Sequence, residues 1–199
     1  MVNKMDEIEI ALLGFIYDEP KHGYDLHKEI SDLSGIGIVW RVKMGKLYAM
    51  LHKLENNQWV KSTVTQEGNR PQRTQYQITA LGRTVFNEWL YNPVRKGRDF
   101  RIVFLLKMYF VLKDGEENAQ RLIAVQQDAC RKWLEEFQQG VAIQESTAQT
   151  PDFNQIVINF RITQIKGYLE WLDWCKKHIK KEKGTIQGIS PDENVSSNK

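Results

Sequence analysis

Apolar positions recur at helical spacing through the first part of the chain. Ile8, Leu12, Phe15 and Ile16 follow one another in steps that keep one face apolar, and the run stops at "DEP", residues 18–20, because proline disfavours helix in the residue before it. A second stretch, "GYDLHKEISDLSG", places Leu26, Ile30 and Leu33 on one face and is expected to stop at Gly35. The third, "GKLYAMLHKLENN", buries Leu47, Met50, Leu51 and Leu54. At about 100° per residue this turns Gly45, Tyr48, Ala49 and His52 outward and leaves Lys46 and Lys53 on the flank. The period then changes. "WVKSTVT" and "TQYQIT" are β-branched and aromatic runs of strand length, and "QEGNRPQR" between them favours a turn, so the segment predicts a hairpin. Thr79 is placed to cap a fourth helix, "ALGRTVFNEWL", which closes before Pro93.

Beyond the connector "NPVRKGRD", the run "FRIVFLLKMYFVLK" is apolar nearly all round, which predicts a helix covered on most sides. Residues 115–139 set Leu122, Gln126, Cys130, Trp133 and Phe137 along one face, with a single polar interruption. After a loop, Thr150-Pro151-Asp152 supplies a cap, a proline for the first position and an acid for the first turn. The last helix, from about Phe153 to Ile179, is expected to be about 40 Å long. Its Ile158, Ile162, Ile165, Leu169, Leu172 and Ile179 alternate steps of four and three, interrupted at Lys176, which is coiled-coil-like spacing. So long a seam, flanked by Tyr168, Trp171 and Trp174, exceeds what one small domain buries. It predicts a homodimer paired through Ile158, Ile162, Ile165, Leu169 and Leu172, with help from the helix at 99–113 and from the first helix. The polar, Gly/Ser/Asn-rich end of the chain reads as disordered.

The predicted fold class is therefore mainly α: a winged helix-turn-helix of three helices, a two-stranded β wing and a fourth helix, then an α-helical dimerisation domain. The expected divisions are residues 1–92, 93–183 and a tail at 184–199. The charge distribution sharpens this picture more than the net charge of +3 does. Residues 1–38 carry three lysines against eight carboxylates, whereas residues 39–83 carry eight cations against two carboxylates. In a winged helix the third helix enters the major groove of double-stranded DNA and the hairpin tip reaches the backbone, and the cations fall on these two elements. Lys43, Lys46, Tyr48, Ala49, His52 and Lys53 on the third helix, Arg70 and Arg73 beside the hairpin's Pro71, and His22 opening the second helix are the candidate DNA contacts. Lys46 and His52 are best placed for base edges. A rival function for the same basic face is docking of an acidic protein partner.

Other classes recede. The chain has 199 residues, 41% of them apolar, and no tract of membrane-spanning length. Its acidic start lacks a small-residue cleavage site, so a cytoplasmic protein is expected. Cys130 and Cys175 lie inside apolar helical patterns and read as buried thiols. Cys175 and His178 share a helix face but fall short of a metal site, and no triad, metal-ligand or phosphate-loop pattern occurs, so neither an enzyme nor a cofactor is expected. Trp133, Trp171 and Trp174 are candidates to line a small-molecule effector pocket between the domains, against the commoner role of such aromatics as core.

Three stretches, "LLGFIYDEPKHGYDL", "GKLYAMLHKLENNQWV" and "NRPQRTQYQITALG", together resemble the winged-helix domain of the PadR family, the phenolic-acid-responsive transcriptional regulators. The ordered set His-Gly-Tyr-acidic, Gly-x-Leu-Tyr, Arg-Pro-x-Arg and Ile-Thr-x-x-Gly carries the likeness across most of residues 8–90. The resemblance implies a dimeric regulator, more often a repressor, that binds a roughly palindromic operator and pairs through a helical C-terminal region. Lys46 stands where the family has a small hydroxyl residue, Ala49 replaces its usual proline, and "RTQY" lacks a basic residue often found beside the wing arginine. The operator sequence is thus not transferable.

Overall fold

The computed structural model describes residues 6–66, 72–142 and 152–179. Helix α1 (Glu7–Phe15) begins where the Asp6 carboxylate accepts the Ile8 N–H, and it turns Ala11, Leu12, Leu13 and Phe15 into the core. A two-residue strand β1 (Lys21–His22) leads into α2 (Gly23–Ser31), and a 3-10 turn at Ile36–Ile38 precedes α3 (Met44–Asn56). Strands β2 (Val60–Thr65) and β3 (Arg73–Ile78) form the predicted hairpin, with Val60 opposite Ile78 and Thr65 opposite Arg73. The Thr79 hydroxyl accepts the Gly82 N–H at 3.0 Å and opens α4 (Ala80–Tyr91) as the sequence predicts.

Two details depart from the sequence pattern. Strand β1 pairs with the free edge of β3, Lys21 opposite Tyr76, giving a three-stranded sheet in the order β1-β3-β2. Helix α2 stops at Ser31, and Leu33 is exposed instead of sharing the buried face of Leu26 and Ile30. Asp32 is the reason. Its carboxylate accepts both the Ser34 N–H (2.9 Å) and the Ser34 hydroxyl (2.8 Å), a local alternative to helix that also holds its pKa below the ordinary value.

After the connector, a single turn α5 (Gly97–Asp99) runs through a π-helical segment (Phe100–Phe104) into α6 (Leu105–Lys113), followed by α7 (Glu116–Ala142) and α8 (Phe153–His178). The Phe100 ring stacks on Tyr168 with centroids 4.0 Å apart, and Trp171 meets Phe104 edge-on at 6.0 Å, so α8 closes over the π segment. Gln126, the polar interruption on α7, is fully buried because its Oε1 accepts the Val94 N–H at 2.8 Å. Asp152 itself is the N-cap of α8, in a reciprocal pair with Gln155, in place of the cap read at Thr150. Thr150 and Pro151 lie outside the described residues. Cys130 and Cys175 are buried and free, and burial pushes both thiols up.

The seam predicted for pairing turns largely toward the chain's own interior. Ile165 and Leu172 are buried, and Ile158, Ile162 and Leu169 are half-buried on the same side of α8, because α7 lies along it. The large apolar side chains that α8 leaves exposed are Phe153, Ile156, Val157 and Phe160 in its first turns and Trp174 near its end; the first four fall within about 100° of the helix circumference, turned away from Ile165 and Leu172. The helix at 99–113 and α1 are likewise occupied: Leu106, Val111, Leu12 and Leu13 are buried within this chain.

Lys107 is the unexpected member of the core. Burial pushes its pKa down to about 8 from 10.5, against the pull of Glu7 and with the push of Arg95, which corresponds to roughly 3 kcal/mol against the charged form. Between about pH 8 and 10.5 the unfolded chain holds the proton that the folded chain has released, so this penalty fades and stability rises with pH. Thermal melts between pH 7.5 and 10 are expected to show the Lys107→Met variant more stable than the original chain at the acid end, with the gap closing toward the alkaline end. A gap constant with pH would refute the assignment.

Candidate nucleic-acid interface

The exposed face of α3 follows from its buried one. Leu47, Met50, Leu51 and Leu54 are anchored in the core, so Gly45, Lys46, Tyr48, Ala49, His52 and Lys53 all face out. Lys43 is the N-cap residue, is exposed and makes no side-chain capping bond, so its side chain pairs none of the first-turn N–H groups. The wing is fixed to the same helix: Glu55 Oε1 accepts both the N–H and the hydroxyl of Ser62 on β2. Arg73 is exposed at the first position of β3, where its carbonyl accepts from the Thr65 hydroxyl at 3.2 Å. Among the described residues, Lys43, Lys46, Lys61 and Arg73 make no ion pair, and they form the cationic part of the surface. Arg70 lies outside the described residues.

The other candidates divide. Lys53 Nζ sits 2.6 Å from Glu9 Oε1, a carboxylate that α1 buries, so most of its charge is answered within the protein. His22 is half-buried in β1, with Nδ1 3.3 Å from the Thr74 carbonyl of β3, and holds the sheet together from its edge. The Tyr48 ring lies over Gly23 at the start of α2, where a Cβ would be only 2.7 Å from it, yet Tyr48 stays 42% exposed. It therefore packs and faces solvent at once. Burial raises the pKa of the neighbouring Tyr76 phenol, with Tyr48 and Glu55 adding to the effect. Individual charge counting pointed to Arg41 and Lys61 without singling them out; both are exposed, and Arg41 Nε donates to the Gly37 carbonyl at 3.3 Å in the turn before α3.

Trp133, Trp171 and Trp174 do not converge. Trp171 is packed on Phe100 and Phe104, Trp174 is exposed and stacked on His178, and Trp133 borders a shallow groove with Val94, Arg95 and Lys132. A different cleft, of about 260 Å³, opens where the end of α1 meets α2, α4 and α6, walled by Tyr17, Phe86, Tyr91, Phe110 and Lys113. Its walls come from four separate elements, which is why no sequence motif marks it. Among the described residues no group of three or more His, Cys, Asp or Glu side chains is arranged for a metal, and no helix is long and apolar enough to cross a membrane.

Comparison with known proteins covers both regions of the chain. Residues 12–88 match the family described as transcriptional regulator PadR-like, and residues 100–180 match that described as virulence activator alpha C-term. The negative transcriptional regulator PadR of Bacillus subtilis is 23% identical over 184 residues, spanning 89% of this chain and 100% of that protein. A probable transcriptional regulator of Mycobacterium tuberculosis is 29% identical over 91 residues, 46% of this chain and 47% of the relative. Among solved structures, Bacillus subtilis PadR in complex with operator DNA matches over 85% of this chain and 97% of that one, at 21% identity and a TM-score of 0.43. The same protein in complex with p-coumaric acid matches over 87% and 99%, at 21% identity and a TM-score of 0.38.

Proposed function

We propose, from the premise that residues 12–88 match the PadR-like family of transcriptional regulators, that this chain is a dimeric, sequence-specific DNA-binding regulator acting as a repressor. Helix α3 lies in the major groove, with Lys46 and His52 toward base edges and Tyr48 and Ala49 against the duplex. Lys43, Lys61 and Arg73 hold phosphates and set the register. One observation carries this reading: unpaired, exposed cations stand on α3 and on the wing that Glu55 ties to it, while the cation on the flank, Lys53, is neutralised by Glu9. Duplexes selected from a random pool, then titrated with salt, test it. A DNA regulator enriches one site, keeps its preference over random sequence, and loses affinity steeply as salt rises. Enrichment of no site would favour docking of an acidic protein on this face.

Pairing of subunits is assigned to the stripe Phe153, Ile156, Val157 and Phe160, because these large side chains are exposed in the single chain whereas Ile165 and Leu172 are not. Introducing a charge into it, Phe160→Glu, is expected to weaken the dimer by about 3–5 kcal/mol, the range for a charge buried without a partner. Sedimentation at micromolar protein reads the result as monomers; an unchanged dimer would remove the stripe from the interface. In place of the three dispersed tryptophans, an aromatic effector is assigned to the cleft of Tyr17, Phe86, Tyr91 and Phe110, where Lys113 faces Glu29 at 4.0 Å.

A further inference from the structure

We infer that Lys107 is a positioning residue that sets the angle between the winged helix and the helical region, and through it the half-site spacing the regulator accepts; this rests on the DNA-binding reading above. Lys107 lies on α6 with 1% of its side chain exposed. Its Nζ donates to the Asn92 carbonyl at the C-terminal end of α4 (2.7 Å), lies 4.9 Å from the centroid of the Trp89 ring on α4, and stands 3.9 Å from Glu7 Oε2 on α1. One ammonium thus joins the helical region to the last helix and the first helix of the reading domain. The negative end of the α4 dipole is where a cation is best accepted.

Apart from the exposed hydrogen bond from the Tyr91 hydroxyl to Asp114 (3.1 Å) and the Lys113–Glu29 ion pair (4.0 Å), the remaining contacts between helices across this junction are largely apolar. Phe110 meets Phe15 and Phe86 edge-on at 5.0 and 5.3 Å, and Tyr109 lies against Phe15 at 5.9 Å. Such apolar contacts are non-directional and tolerate small rotations with little change in buried area. A hydrogen bond from a buried ammonium to one particular carbonyl does not. A methionine or leucine would fill the same space without desolvating a charge, so stability does not account for a lysine here. A directional contact buried inside the junction, where the neighbouring packing is apolar, does account for it. In a dimer, a rotation at this junction displaces each α3 along the duplex, and the half-sites it can meet together shift accordingly.

The test uses the full-length dimer and the variants Lys107→Met and Lys107→Leu, with duplexes carrying two half-sites whose separation is varied one base pair at a time, and one duplex with a single half-site. Both variants are expected to bind the single half-site within about twofold of the original, as the reading surface is untouched, and to melt no lower. Their preference for the best spacing over neighbours two base pairs away is expected to shrink by about tenfold or more. Retention of the original spacing preference overturns the inference, and so does a variant that melts lower or does not fold, since Lys107 would then serve stability. Failure of the original protein to bind any duplex refutes the DNA reading instead, so the two failures are distinct.

Discussion

Replacing Lys43, Lys46 and Arg73 together by alanine is expected to abolish operator binding at physiological salt while leaving the fold intact. All three side chains are exposed and make no ion pair among the described residues, so their removal breaks nothing inside the protein. In a dimer the triple variant loses about six cations facing DNA, which predicts a log–log salt slope flatter by roughly 5 and an affinity reduced about a thousandfold near 0.1 M salt. Duplexes of every sequence should suffer alike from the loss of Lys43 and Arg73, whereas loss of Lys46 should also change which site is preferred. Lys53→Met is the internal control. Its ammonium is 2.6 Å from Glu9, so its removal is expected to move the slope little. Fluorescence anisotropy across a salt series distinguishes these outcomes, and an unchanged slope in the triple variant would detach the basic surface from DNA binding.

That control also marks the limit of what charge spacing reveals. The sequence places Lys46 and Lys53 alike, on the flank of one helix. Only the fold shows that α1 brings Glu9 against Lys53, 44 positions further along the chain, and leaves Lys46 alone. His22 illustrates the same difficulty: two residues after a proline are too few to display a strand period, yet they extend the sheet and engage the histidine with Thr74. Tyr48 was legible as outward-facing, but its packing over Gly23 depends on how α2 crosses α3.

Helix α8 failed to disclose its partner for a related reason. Periodicity identifies the apolar stripe of Ile158, Ile162, Ile165, Leu169 and Leu172, and that stripe is real, but periodicity is silent on whether another helix of the same chain or of a second chain covers it. Helix α7 covers much of it. The set proposed above for pairing, Phe153, Ile156, Val157 and Phe160, is less regular and becomes visible only as exposure. The winged helix was easier to read because its contacts are local: caps, turns and short crossings are written in neighbouring residues, as at Thr79.

Gly82→Ala is expected to be the most damaging single substitution in the winged helix. The glycine of "ITALG" sits in the first turn of α4, where a Cβ would lie 2.1 Å from the Trp59 carbonyl oxygen and 2.9 Å from the Ile78 side chain. The carbonyl is not free to yield: it accepts the Thr79 N–H at 3.0 Å, while the Thr79 hydroxyl donates to the adjacent Gln58 carbonyl at 2.8 Å and accepts from Gly82 N–H. Moving α4 aside would break this cap and open the junction with the wing together. A loss of at least about 3 kcal/mol is expected, at the upper end for overpacking. Gly45→Ala supplies the contrast, since nothing lies within 4 Å of a Cβ there, and a gain of about 0.5 kcal/mol is expected from helix propensity. Denaturant melts of the two variants without DNA decide the matter: equal stability of Gly82→Ala and the original chain would mean that α4 and the wing do not meet backbone to backbone, and that the base on which the wing presents Arg73 is built differently.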